Sequence, residues 1–266
     1  MNNLFVCGVP RSGTTVLAEV LGAHSRVVLG IERFKRCYRR PDFGPSYFSK
    51  TRFCSLVDGD CDRAKEQIEG ELARAAQKFD DAMLVGDKYP MLYKFVELFR
   101  DRFPNAKWLF IVRNPVEVGM SWEARAKNPK DKWPEENGAI RSISEYNKSL
   151  LAVLKALKDN NSLMVINYHR LFHRAFGVDE AERLLHFLGL PACELFTAAY
   201  TAALKRSALL GSRRSIAPAN IAEAIQSQLH ARRLLSVCSK SKCGLTGMPK
   251  AVLQLKQERD KARQHS

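Results

Sequence analysis

Apolar runs of strand length recur along the chain at residues 3–7 (NLFVC), 26–30 (RVVLG), 82–86 (AMLVG), 107–112 (KWLFIV) and 162–166 (SLMVI). They do not alternate with polar positions, as expected for strands buried on both faces of a parallel sheet. Between them apolar residues return at helical spacing, as Val16, Leu17, Val20 and Leu21 do within 14–23. Similar patterns cover 64–78, 91–102, 115–126 and 138–157, and Pro90 and Pro115 suit first-turn positions. Alternating strands and helices predict an α/β fold of three layers, with a central, mainly parallel sheet and right-handed crossovers. After about residue 168 the pattern is mostly helical, and 179–188 is closed by Gly189 as a C-cap. Small, polar and basic residues make 205–217 (KRSALLGSRRSIA) a loop and 236–248 a linker before a basic terminal helix over 249–264. The expected division is an α/β domain over 1–235 with a helical C-terminal part, then a basic linker and helix over 236–266.

Composition narrows the class of partner. With 266 residues, 45% hydrophobic and 27% charged, the chain suits one substantial core. A net charge of +15 favours an anionic partner: a nucleotide-like group, an acidic substrate, nucleic acid or a lipid surface. The basic tail is short and lacks interleaved aromatics, so no nucleic-acid partner is expected. No apolar stretch approaches the length of a membrane span, and Met1 leads into the first apolar run without the regions of a signal peptide. Seven scattered cysteines, none in a C-x-x-C pair, read as reduced thiols in a cytoplasmic protein. Export by another route would leave Cys54–Cys61 or Cys238–Cys243 open as bridges.

Residues 8–15, GVPRSGTT, carry the spacing of a phosphate-binding loop between a strand and a helix. Its glycines let backbone N–H groups curl around an anion, and the following helix adds its positive dipole end. Thr14 stands where a nucleotide triphosphatase has its lysine. The strand WLFIV ends in Arg113, where a magnesium-dependent enzyme would place a carboxylate. Asp87 could serve that role, but Lys88 beside it again favours an anion. The loop therefore reads as a P-loop-type site for a phosphate-like ligand, with no metal.

PRSGTT, with IVRNPVEVGMSW downstream, resembles the two donor-binding signatures of sulfotransferases that use 3′-phosphoadenosine 5′-phosphosulfate (PAPS). The resemblance implies that the loop (Arg11, Ser12, Gly13, Thr14 and Thr15) holds the 5′-phosphosulfate, and that Arg113 and Ser121 hold the 3′-phosphate. The stretch RSGTTVLAEVLGAHSRVVLGIERF is more similar still to tyrosylprotein sulfotransferases. There Gly30 and Glu32 fall on a G-E-E-T-R segment, Glu32 matching the general base, while Ile31 and Phe34 depart from it. GDKYP makes Lys88 the counterpart of the family's catalytic lysine. Arg125 matches a second 3′-phosphate arginine, and Tyr168 a nucleotide-contacting tyrosine. HFLGLP at 186–191 echoes a helix end of the family, and SRRSIAPAN loosely resembles the adenosine-covering loop, with Ser207, Arg213 and Arg214 as covers. The family's membrane anchor is absent from this sequence, which points to a soluble, bacterial-type relative.

These residues imply sulfonate transfer from PAPS to a hydroxyl acceptor. A phenol titrates near 10, so a carboxylate such as Glu32 is needed to take its proton as bonding develops. Lys88 and Arg11 stabilise charge on the leaving group. The leading acceptor is tyrosine in an acidic peptide or protein, favoured by Arg33, Lys35, Arg36, Arg39 and Arg40; a glycan or small-molecule hydroxyl is the alternative. From other classes, a P-loop nucleotide kinase and a non-catalytic nucleotide-binding protein stay open, as does a homodimer. His24, at a helix end, is a minor rival to Glu32 as base. His169 and His173 lack the glutamate of a metalloprotease motif, because Arg170 stands in its place.

Overall fold

The computed structural model describes residues 1–159, 162–173, 175–212 and 218–264. All five apolar runs form strands: β1 (Asn2–Gly8), β2 (Val27–Ile31), β3 (Leu84–Lys88), β4 (Lys107–Val112) and β5 (Leu163–Asn167). They lie in the order β2-β3-β1-β4-β5, every neighbouring pair parallel. The helices are α1 (Thr14–Ala23), α2 (Lys50–Cys54), α3 (Lys65–Lys78), α4 (Val96–Arg102), α5 (Pro115–Ala126), α6 (Ala139–Asp159), α7 (Tyr168–Leu171), α8 (Gly177–Leu188), α9 (Glu194–Ser212), α10 (Ala219–Gln228), α11 (Ala231–Ser241) and α12 (Lys250–Gln264).

Alternate residues of each strand enter two separate cores. Leu4, Val6, Leu109 and Ile111 pack with α1, α8 and α9. Phe5, Cys7, Trp108 and Phe110 pack on the other face with α3, α4, α6 and α11. That second core is aromatic: Phe5 lies 4.8–5.7 Å, between ring centroids, from Phe48, Phe99, Phe103 and Trp108. Such pairs add about 0.5–1.5 kcal/mol each beyond the area they bury. Both faces of the sheet are covered, which is why the strands read as unbroken apolar runs.

Local signals place the helix ends. Pro115 opens α5 behind an Asn114 cap, and Gly189 closes α8 in left-handed backbone (φ 69°). Pro90 begins a 3₁₀ turn, Pro90–Phe95, so the helix expected over 91–102 narrows to α4. Two other expectations are corrected. Residues 205–212 are not a loop but the last turns of α9, and 236–241 are not a linker but the end of α11. Val237, Cys243 and Val252 of the C-terminal segment are fully buried, which amphipathic spacing hidden among small and basic residues did not announce. All seven cysteines are free thiols. No helix among the described residues is long and apolar enough to cross a membrane.

Candidate active site

The carboxyl ends of β1, β3 and β4 converge on a cavity of about 320 Å³ at the N-terminus of α1. Ligands favour this edge in open α/β sheets. The phosphate-binding loop curls through left-handed backbone at Arg11 (φ 75°) and Gly13 (φ 105°). A Cβ at Gly13 would lie 2.5 Å from Tyr168 Cδ2, so only glycine lets the tyrosine ring seat against the loop. Thr14 is buried and Ser12 wholly so, and Ser12 Oγ has no hydrogen-bond partner among the described residues.

Glu32 follows β2 in left-handed backbone (φ 58°), its N–H donating to Lys88 O at 2.7 Å. That turn brings its carboxylate over the end of β3. Lys88 Nζ reaches Thr15 Oγ1 at 3.2 Å and Glu32 Oε1 at 3.3 Å, joining loop and carboxylate through one buried ammonium. Burial lowers the lysine below its ordinary value, while Glu32 and Asp87 oppose that shift.

Asp87 faces inward and is fully buried. It accepts from Arg33 N–H (3.0 Å), Phe34 N–H (2.8 Å) and the Tyr38 hydroxyl (2.6 Å). Burial raises its carboxyl to about 6 despite those three donors. It is thus the anchor of the segment after Glu32, not a carboxylate presented to a metal. Arg33, expected to face an acidic acceptor, is corrected too. It is 2% exposed, paired with Asp60 at 2.6 Å and donating to the carbonyls of Phe53 and Ser55. Lys35 and Arg36 share Asp62, Arg40 donates to Gly59 O, and Arg39 is exposed over the Phe95 ring.

On the other side Arg113 Nε donates to Glu117 Oε2 (2.8 Å) and a terminal nitrogen to Arg11 O (3.2 Å), with Tyr168 beneath its guanidinium at 4.4 Å. Arg11 Nε donates to Ser121 Oγ at 2.9 Å. Burial first, then the neighbouring Arg125 and Arg113, push Arg11 below its ordinary value. Arg125 is gripped side-on by Asp131, with both bonds 2.6 Å, and lies over Trp133 at 4.7 Å. The Tyr168 hydroxyl meets Ser207 Oγ at 3.1 Å, reaching it on α9 rather than on a loop. Arg213 and Arg214 lie outside the described residues.

The structure therefore gathers Arg11, Gly13, Thr14, Thr15, Glu32, Lys88, Arg113, Arg125, Tyr168 and Ser207 on one lining, with Ser12 and Ser121 directly behind. His24 is not among them. It is buried at the far end of α1, where Nδ1 accepts from Arg26 N–H and Nε2–H donates to Pro191 O. Two lining residues escaped the sequence reading, Trp133 and Arg206. The run KDKW after α5 offered a signal, an aromatic among charges eight residues beyond Arg125. Five cations face one carboxylate, Glu32, among the lining residues, an environment for a polyanion.

A protein-tyrosine sulfotransferase of Drosophila melanogaster is 33% identical over 116 residues, covering 42% of this chain and 23% of that protein. The nodulation protein NoeE of Sinorhizobium fredii is 24% identical over 241 residues, 79% of this chain and 55% of that one. The chain thus spans under two thirds of either relative's length. A sulfotransferase domain from the curacin biosynthetic pathway shares the fold, with a TM-score of 0.51 at 20% identity, covering 75% of this chain and 78% of the domain. A model of the sulfotransferase family matches residues 3–194, which include the loop, Glu32, Lys88, Arg113 and Tyr168. On that match over most of its length, the chain belongs to the sulfotransferase family.

Proposed function

We propose that the cavity binds PAPS and that the enzyme passes its sulfonate to a hydroxyl acceptor, with tyrosine in an acidic peptide or protein as the leading candidate. One observation carries the reading: Lys88 touches both the loop hydroxyl of Thr15 and the carboxylate of Glu32. The two groups that sulfonate transfer needs, a cation at the leaving group and a base at the acceptor, are thereby within one contact of the anion loop. The orphaned Ser12 Oγ and the five lining cations fit an anionic donor with two phosphate ends.

PAPS supplies, when bound, an activated sulfonate on a phosphate leaving group. The protein's part is positioning and charge. Backbone N–H groups of 13–15, the Thr14 hydroxyl and Arg11 hold the 5′ end, and Arg113, Ser121 and Arg125 hold the 3′-phosphate. Tyr168 and Ser207 flank the nucleoside. The Glu32 carboxylate takes the acceptor's hydroxyl proton, and the Lys88 ammonium faces the charge that develops at the loop. Lys88 works protonated, and burial places its titration below that of an ordinary lysine. The alkaline limb of the rate should therefore lie below the usual lysine range. The likeness to a protein-tyrosine sulfotransferase supports a peptide acceptor.

Calorimetric titration with adenosine 3′,5′-bisphosphate, beside ATP with magnesium, tests the donor. Metal-independent binding of the bisphosphate alone is expected. Binding of ATP with magnesium alone would overturn the proposal in favour of a phosphotransferase. Assay of tyrosine peptides against glycan acceptors then decides the hydroxyl, and turnover on glycans alone would remove the peptide reading.

A further inference from the structure

Residues 242–249 lie beyond the segment that the family model matches, yet they pack directly behind the site. Two asparagines hold them there. Asn114 follows Arg113 at the end of β4, and Asn167 ends β5 just before Tyr168. Each uses its side-chain oxygen to cap the next helix, accepting from Val116 N–H and His169 N–H respectively, both at 2.9 Å. Each then turns its amide nitrogen to the same C-terminal turn. Asn114 Nδ2 donates to Gly247 O at 2.8 Å, and Asn167 Nδ2 to Gly244 O and Thr246 O, both at 3.1 Å.

The turn is shaped to lie close. Gly244 and Gly247 have φ of 75° and 71°, and a Cβ on Gly247 would lie 2.5 Å from His169 Cγ. His169 Nε2 in turn lies 3.4 Å from Glu117 Oε1, and the other oxygen of Glu117 accepts from Arg113 Nε. Two routes therefore run from the turn to the guanidinium. One passes through Asn114 and the backbone of β4, the other through His169 and Glu117.

We infer that the Gly244–Gly247 turn is a positioning element of the donor site: it sets the direction of Arg113 without touching the ligand. The inference rests on the proposed role of Arg113 at the 3′-phosphate. It separates from a purely structural role because misdirecting Arg113 harms only ligands that carry that phosphate.

The test is calorimetry on the full chain with adenosine 3′,5′-bisphosphate and adenosine 5′-monophosphate. Wild type should prefer the bisphosphate. Gly247→Ala, which pushes on His169, should weaken the bisphosphate about tenfold, the scale of one compromised hydrogen bond to a charged group. The monophosphate should change less than about twofold, within the scale of an untouched contact. Asn114→Ser keeps a hydroxyl to cap α5 and removes the donor to Gly247 O, so it should act in the same direction and serves if the glycine variant does not fold. A wild-type preference that both variants retain, or equal weakening of both nucleotides, would overturn the inference alone. Equal affinity of wild type for the two nucleotides would overturn the 3′-phosphate reading and the inference with it.

Discussion

On the β2–β3 side of the site, the segment that carries Glu32 hangs on one buried carboxylate, Asp87, whereas on the β4–β5 side Arg113 and Tyr168 are flanked by two neutral amides, Asn114 and Asn167. The carboxylate gathers three donors at a single point. The amides spread their bonds over two strand ends, two helix caps and one turn. An ionisable anchor in the interior titrates, and burial brings that titration to about 6. A neutral anchor has no such dependence and fails by degrees. The Glu32 side of the site is thus anchored by a group that titrates, and the Arg113 side by two amides that do not.

Glu32→Gln offers the sharpest division between the two sides. Turnover on a verified acceptor should fall about 10²–10⁴-fold, while binding of adenosine 3′,5′-bisphosphate stays at the wild-type level. Retained turnover would remove Glu32 as the base. Arg113→Ala should do the reverse and weaken the bisphosphate about 10–100-fold, as expected for a lost charge-assisted contact. Unchanged binding would dissociate β4 from the donor.

Asp87→Asn should cost about 1–3 kcal/mol of stability, because one amide oxygen cannot serve three donors. Its pH dependence follows from the direction of the shift. The folded carboxyl titrates above its unfolded value, so its contribution is complete below about pH 4 and is lost as pH rises through about 6. The variant lacks this titration, so its deficit relative to wild type should be larger at pH 4.5 than at pH 7.5. Urea unfolding at the two pH values measures this, and a constant deficit would refute the raised carboxyl. Tyr38→Phe removes one of the three donors and should cost about 1 kcal/mol, the smallest of these effects. A change in bisphosphate affinity in that variant would blur the contrast between the two sides.

Much of this arrangement was legible in the chain. Strands buried on both faces cannot hide their apolar runs, and the loop, Glu32, Lys88 and Arg113 each sit at a strand end that those runs locate. What escaped depends on partners remote in sequence. Arg33 read as a cation for an acidic acceptor because its partner Asp60 stands 27 residues away. Helix α9 continues through Ser207, although Gly211 and Ser212 read as breakers, because its apolar face is already seated on α1. Asn114 and Asn167 carried a visible local signal, an asparagine between a strand and a helix, and this correctly marks a cap. Their second bonds, to residues 77 and 133 positions away, have no local signature.

Among the described residues three that are not glycine have left-handed backbone, and two of them are Arg11 and Glu32. Such a conformation costs roughly 1–2 kcal/mol for a residue with a side chain, and glycine relieves it. Selection for heat resistance alone would therefore favour glycine at both positions, and in doing so would delete a loop cation and the proposed base. Directed evolution of this protein needs an activity screen from its first round, since ready gains in robustness lie at residues proposed for its chemistry.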